Sequence, residues 1–308
     1  MKANVKTILV TGCNGFIGRK LTTFLLNKGI NVIGIDIQDS NENNNELFSY
    51  ISWDYKDSNV LYGLLKSKSI DIVYHLAWKG VSTDKKNNPA EQFANIPITY
   101  SLLELCKLLS VRKIVMPGST SEFSKVQSKI TGTGKDSPSD LYASVKAAVR
   151  RISFYYCEKN GMDLNWLLIT SIYGSDRTDN NLIYSVIRSI LHKKKIQCTK
   201  LEQLWDYVFV DDVIQAMYVV GLFGKKGLIY PVGSGDSRPL SKYVKIITDY
   251  LCGEEFVEIG ALPYKNKHID NSIPDISKLK SIGYKSQHCF DEEIKTIINK
   301  IKETNTNV

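Results

Sequence analysis

Val5-Lys6-Thr7-Ile8-Leu9-Val10 is rich in β-branched residues, and it runs without a break into Thr11-Gly12-Cys13-Asn14-Gly15-Phe16-Ile17-Gly18. From Phe16 to Leu26 the apolar residues recur at helical spacing. A strand, a glycine turn and a helix start form a phosphate-binding device. Small residues let the backbone approach a pyrophosphate, and the unpaired amides of the first helical turn point at it. Gly12, Gly15 and Gly18 follow G-x-x-G-x-x-G, and glycines alone also merely punctuate turns. A second strand, Ile30 to Ile35, ends in Asp36, where a carboxylate would grip ribose hydroxyls. Ile37, Gln38 and Asp39 follow, with no nearby Arg or Lys to receive a 2′-phosphate. The expected ligand is therefore a dinucleotide, NAD in preference to NADP.

A chain of 308 residues with 43% hydrophobic and 23% charged residues should be globular, one large core with a smaller lobe appended. Cys13, Cys106, Cys157, Cys198, Cys252 and Cys289 are widely spaced, with no C-x-x-C pair. That argues for reduced thiols in a cytoplasmic protein rather than a disulfide frame or zinc site. His75, His192, His268 and His288 show no ligand spacing either, so no metal is expected. The N-terminus carries no long apolar segment ending in a cleavage site, and no apolar run approaches the roughly 18 residues of a membrane span. A net charge of +8 reads as a lysine-rich solvated surface. Lys193-Lys194-Lys195 is too short, and too poor in aromatics, to indicate nucleic acid.

Strands are expected at 5–11, 30–36, 50–53, 70–76, 111–117 and 163–170, and helices at 16–28, 57–67, 90–110 and 140–159. Such alternation predicts an α/β fold with a doubly wound parallel sheet. Leu102, Leu103, Leu105, Leu108 and Leu109 crowd one helix, and Val145, Ala148, Val149, Ile152, Phe154 and Tyr155 another. That excess suits a homodimer contact through helices near 90–110 and 140–159, and equally a large internal core. After residue 170 the pattern loosens into short elements, where a substrate-binding lobe is expected. The expected division is 1–174 for the dinucleotide domain, with 205–225 returning to it, and 175–204 with 226–308 for the lobe. Asn41 to Asn45 reads as an exposed loop, and Glu303 to Val308 as a frayed tail.

Tyr142 and Lys146 stand four apart on a predicted helix, so they share a face. A neighbouring ammonium favours the phenolate, and lowering a tyrosine from near 10 by three units takes roughly 4 kcal/mol. The pair is then a general acid/base near neutrality, matched to carbinol–ketone interconversion. Tyr62/Lys66 and Tyr155/Lys159 have the same spacing, so placement has to decide. Tyr155 lies about 20 Å further along the same helix, and Tyr62 lies on an earlier crossover helix. Only Tyr142 follows a strand whose carboxyl end carries hydroxyls, Ser119-Thr120-Ser121, and ligands of open α/β sheets bind at that end.

Gly12/Gly15/Gly18, Asp36, His75-Leu76-Ala77, Ser119, Tyr142 and Lys146 together resemble the extended short-chain dehydrogenase/reductases, and within them the nucleotide-sugar epimerases and dehydratases. The resemblance spans most of residues 1–212. It implies a Rossmann-like fold with a smaller C-terminal substrate-binding lobe, bound NAD, a nucleotide-sugar substrate, and transient oxidation at a sugar carbon, usually C4. It also implies that Phe16 and Ile17 line the cofactor with the glycines, that Asp54 contacts adenine, and that Leu76, Ala77 and Asn95 lie beside the cofactor. Asn181-Leu182 resembles the Asn-Leu that holds the nucleotide diphosphate, and Asp206-Tyr207-Val208-Phe209-Val210 a later strand signature.

There are departures. Trp205 stands where the family usually has a diphosphate-gripping arginine, and Arg238 is the expected replacement because a diphosphate needs a cation. Arg177, Arg188 and the lysines after His192 are the other cations available to it. Thr170-Ser171-Ile172-Tyr173-Gly174 replaces the usual Phe-Asn turn. Ser119-Thr120-Ser121-Glu122 also resembles the Ser-Thr-Ser-Glu of GDP-mannose 4,6-dehydratases. Aligned without a gap through Lys125-Val126-Gln127, Ser119 takes the hydroxyl position. Shifted by one residue, Thr120 and Glu122 become the active pair. The ungapped register implies an epimerase or 4-ketoreductase, and the shifted one a 4,6-dehydratase. A different class of reading, an NAD-sensing or nucleic-acid-binding protein on the same frame, has no use for a basic phenol.

Overall fold

The structure is a computed structural model that describes residues 5–39, 43–123, 129–175, 181–264 and 271–306. Arg177, Lys125-Val126-Gln127 and the first two residues of the Asn41–Asn45 loop lie outside them. Thirteen strands are present among the described residues: β1 (Thr7–Thr11), β2 (Asn31–Asp36), β3 (Phe48–Ser52), β4 (Ile72–His75), β5 (Lys113–Ser119), β6 (Asp163–Ile169), β7 (Ser171–Tyr173), β8 (Ile196–Cys198), β9 (Leu204–Trp205), β10 (Tyr207–Phe209), β11 (Ile229–Val232), β12 (Arg238–Pro239) and β13 (Val257–Ile259). The helices are α1 (Phe16–Asn27), α2 (Ser58–Leu65), α3 (Pro89–Phe93), α4 (Asn95–Leu108), α5 (Leu141–Lys159), α6 (Leu182–Leu191), α7 (Val210–Phe223), α8 (Leu240–Leu251), α9 (Ser277–Ser281) and α10 (Phe290–Thr306).

Seven strands form one sheet in the order β11-β6-β5-β4-β1-β2-β3, and every pairing in it is parallel. Parallel strands require crossovers, and the helices supply them on both faces. Period-two alternation sorts the strand residues. Leu9 of β1 joins a core with α2, α4 and α5, while Ile8 and Val10 join a second core with α1 and α7. Leu21 and Leu25 of α1 are fully buried there, worth about 1.5–3 kcal/mol each. A third core gathers Tyr173, Ile187, Tyr207, Tyr243 and Phe290 with α6, α8 and α10.

Three features differ from the sequence expectations. The helix expected over 90–110 is two helices: Asn88 caps α3 through the amides of Ala90 and Glu91, and α4 starts afresh at Asn95. Ile229–Val232, inside the segment expected of the lobe, is the edge strand of the main sheet, because it finds a parallel partner in Trp166–Ile169. Residues 303–306, expected to fray, continue α10. The leucines Leu102, Leu103 and Leu105 face the internal core, whereas Tyr100, Ile152 and Tyr155 are exposed. No helix among the described residues is long and apolar enough to cross a membrane.

Candidate active site

The glycine turn closes over the carboxyl end of β1. Gly12 has φ +69°, and a Cβ there would stand 2.7 Å from the Ala77 amide nitrogen. A Cβ at Gly18 would lie 2.0 Å from the Gly12 carbonyl oxygen, so only glycine lets α1 pack this closely. Gly15 caps α1 without any side-chain hydrogen bond, so Phe16, Ile17 and Gly18 open a helix whose first amides have no side-chain cap. At the end of β2, Asp36 accepts from the amides of Asn14 (2.9 Å) and Ile37 (2.8 Å), which fixes its carboxylate beside the turn. A dinucleotide fits this arrangement: amides for the pyrophosphate and a positioned carboxylate for the ribose. Asp54 is exposed beyond β3 and pairs with Lys56 at 2.5 Å, which lowers its pKa.

β1 and β4 meet where the sheet's strand order reverses, and Thr11 pairs in register with His75. Thr11 Oγ1 lies 2.8 Å from His75 Nδ1, and His75 Nε2 lies 3.2 Å from Thr99 Oγ1. Burial, with the nearby Lys146 ammonium, pushes His75 down to about 3, so the imidazole is neutral. The chain then leaves β4 through Leu76 and Ala77, whose amides are held by the Thr11 carbonyl and hydroxyl. Asn95 is buried and acts as a clasp: its Oδ1 accepts from the Lys79 amide (2.7 Å), and its Nδ2 donates to the carbonyls of Lys79, Glu91 and Gln92.

Asp140 caps α5 by accepting from the Ala143 amide, and the helix then presents Tyr142 and Lys146 one turn apart. Lys146 Nζ donates to the Pro117 carbonyl at 2.8 Å, two residues before Ser119, and lies 5.8 Å from the Tyr142 ring centroid. Lys146 is 4% exposed, and burial lowers it from the ordinary lysine value to about 7, against the opposing pull of Glu122. Ser119 Oγ accepts from Ser121 Oγ (2.7 Å) and from the Ser121 amide (3.2 Å). With both lone pairs used, its own proton is free to go to another oxygen.

The shifted pair is placed differently. Thr120 Oγ1 turns toward Ser272 Oγ at 3.0 Å, which also meets Thr170. Glu122 is wholly buried. It accepts from the Ser119 amide, the Trp166 indole and Arg150 Nε at 3.0, 3.0 and 2.7 Å. Arg150 is held in turn by Asp136.

Further along, Asn181 caps α6 through the Tyr184 amide, with Leu182 as the first helical residue. Trp205 donates its indole N–H to Ser171. Arg238 binds Asp236 and Asp291 at 2.5 and 2.7 Å. Asp206 accepts from the Ser234 and Gly235 amides, and so fastens the glycine turn that leads to Arg238.

The sequence reading missed Trp78 and Lys86. The Trp78 ring centroid lies 3.5 Å from Lys146 Nζ, and Lys86 Nζ stands 5.2 Å from the Tyr142 centroid. An aromatic directly after Leu76-Ala77 was the available signal for the first. For Lys86, a loop lysine among Lys85, Lys86 and Asn87, there was none.

A model of the NAD dependent epimerase/dehydratase family matches residues 8–233. The chain belongs to this family. As a member of the NAD-dependent epimerase/dehydratase family it is an enzyme, and NAD is its cofactor. It is 27% identical to UDP-glucuronate 4-epimerase of Thermodesulfobacterium geofontis, over 96% of both chains. It is 25% identical to CDP-abequose synthase of Salmonella typhimurium, over 96% of this chain and 98% of that one. The UDP-glucose 4-epimerase of Thermotoga maritima superimposes with a TM-score of 0.83 at 20% identity, over 97% and 99% of the two chains. That likeness extends over nearly the whole chain.

Proposed function

We propose that this family member interconverts a hydroxyl and a ketone on a nucleotide-activated sugar, as a 4-epimerase or 4-ketoreductase, with Ser119, Tyr142 and Lys146 as its catalytic residues. The observation that carries the reading is the bond from Lys146 Nζ to the Pro117 carbonyl. It draws the helix face bearing Tyr142 to the carboxyl end of β5, where Ser119 ends the strand. NAD, when bound, would supply the redox chemistry at the sugar carbon: hydride removal and return for epimerisation, or hydride donation from its reduced form for ketone reduction. Tyr142 Oη takes the proton from the sugar hydroxyl and gives it back. The Lys146 ammonium stabilises the phenolate that accepts this proton, and Ser119 directs its free proton at the reacting oxygen. His75, neutral and held between two threonines, keeps the floor of the site uncharged.

Gly12, Gly15, Phe16, Ile17, Gly18, Asp36, Asp54, Leu76, Ala77 and Asn95 are assigned to the cofactor, with Asn181, Leu182 and Arg238 assigned to the nucleotide diphosphate. The third core, around Tyr207 and Phe290, is assigned to the substrate-binding lobe. The buried ion pair of Glu122 favours the ungapped register over elimination of water, because a carboxylate closed by three donors cannot reach a sugar. We assign the exposed Phe93, Ile96, Tyr100, Ile152 and Tyr155 on α3, α4 and α5 to a homodimer contact, a solvated apolar face that a second copy would cover. Mass spectrometry of products from a panel of nucleotide sugars tests the activity. A new chromatographic peak of unchanged mass indicates epimerisation, a gain of two hydrogens on a keto-sugar indicates reduction, and a loss of water would move the reading to the dehydratase.

A further inference from the structure

We propose that Trp78 is a positioning residue of this site: its indole face seats the Lys146 ammonium one helical turn from Tyr142 and keeps that ammonium charged. This rests on the reading of Tyr142 and Lys146 as the reacting pair. Lys146 Nζ sits 3.5 Å from the Trp78 ring centroid, and its bond to the Pro117 carbonyl holds it from the other side. The Trp78 and Tyr142 rings meet edge to face, 6.1 Å apart at 81°.

The orientation of the indole is itself fixed. Trp78 Nε1 donates to Gln92 Oε1 at 3.3 Å, and Gln92 is wholly buried. Gln92 Nε2 donates to the carbonyls of Gly80 (2.7 Å) and Lys85 (3.2 Å). The same segment is hooked to α5: the Tyr142 amide donates to the Lys86 carbonyl, and the Leu141 amide to Asn87 Oδ1, both at 3.0 Å. Trp78 and the helix bearing the pair are thus parts of one clasp.

The surroundings explain why an aromatic face matters here. From β4, His75 is neutral and offers Lys146 no counter-charge. From the turn after β5, Glu122 attracts it, although Arg150 on α5 already matches that carboxylate. On the far side, Lys86 adds a second cation beside the Tyr142 ring. Burial therefore works against the charge, and the Trp78 ring offers a desolvated cation its quadrupole at close range. Such contacts are strongest in desolvated settings, and Trp supplies the best face.

The test follows the Lys146 titration in the cofactor-free protein by NMR of isotope-labelled lysine Cε, assigned with Lys146→Met. Trp78→Leu removes an interaction made only with the charged form, so the midpoint should fall by about one pH unit, a tenfold change in the protonation equilibrium. Trp78→Phe, with a weaker face, should fall by less. The alkaline limb of the kcat profile should move down in parallel. An unchanged midpoint in Trp78→Leu, with the protein folded, overturns the proposal. If Trp78→Leu does not fold, an unchanged midpoint in Trp78→Phe does so. Turnover persisting in Tyr142→Phe would instead sink the assignment of the reacting pair, and the titration would still judge Trp78.

Discussion

Arg238 stands directly across an antiparallel β-pair from Trp205. The cation proposed to replace the family's diphosphate arginine is thus the register partner of the residue that displaced it. Its guanidinium already spans Asp236 and Asp291, so an incoming diphosphate would compete with two carboxylates for it. Arg238→Ala should raise the KM of the nucleotide sugar roughly tenfold, since charge-assisted bonds are worth about 1.5–3 kcal/mol and this one is already shared. Asp291→Asn, which loosens the guanidinium, should lower KM. Steady-state kinetics decide. Unchanged KM in both variants would shift the phosphates to Arg188 or to Lys193–Lys195.

Asp36, proposed to set cofactor choice, has its carboxylate aimed by the Asn14 and Ile37 amides. Titration should show NAD binding at least tenfold tighter than NADP, because a 2′-phosphate would meet that charge. Asp36→Ser should narrow the gap, chiefly by weakening NAD. Tighter NADP binding by the wild type would contradict the ribose assignment.

Glu122 and Arg150 test whether the acid after Ser121 is structural. Glu122→Gln keeps an acceptor for the Ser119 amide and loses the charge that Arg150 Nε faces. Breaking a buried pair costs about 3–5 kcal/mol, so melting should begin several degrees lower while kcat is largely retained. A collapse of kcat at unchanged Tm would return Glu122 to the chemistry, and with it the elimination reading.

His75 ties stability to pH. Its folded pKa is depressed to about 3, below the ordinary value of 6.5, so the unfolded chain binds the extra proton. The contribution is fully present above pH 6.5 and is lost as pH falls from there toward 3. Unfolding in denaturant should show stability declining by a few kcal/mol across that window, and His75→Gln should flatten the decline. An equal slope in the variant would place the acid sensitivity elsewhere.

What the sequence revealed was local. The β1 strand, its glycines and α1 announce themselves because their constraints lie within a single turn of chain, as do Asp36 at the end of β2 and Tyr142 with Lys146 on α5. What it concealed was set by distant pairings. Ile229–Val232 becomes a sheet strand only because Trp166–Ile169 lies open beside it. Glu122 is removed from the surface by Arg150, 28 residues on, and Trp205 meets Arg238 only through a two-residue strand pair. Trp78 carries no periodic signal, and its role depends on a lysine 68 positions away reaching its face. The start of α3 was legible in Asn88-Pro89, a cap followed by the residue best suited to a first helical turn.

The proposed reaction rests on the Tyr142 hydroxyl, and three tyrosines of this chain share the same spacing to a lysine. Tyr62 packs against the core from α2, and Tyr155 is 66% exposed on α5, under Lys159. Turnover of a nucleotide sugar should be measured in Tyr142→Phe, Tyr62→Phe and Tyr155→Phe, alongside NAD affinity. Tyr142→Phe should lose turnover by at least a hundredfold, in line with the removal of a general acid/base, and bind NAD nearly as before, while the other two stay active. Wild-type turnover in Tyr142→Phe would contradict the account.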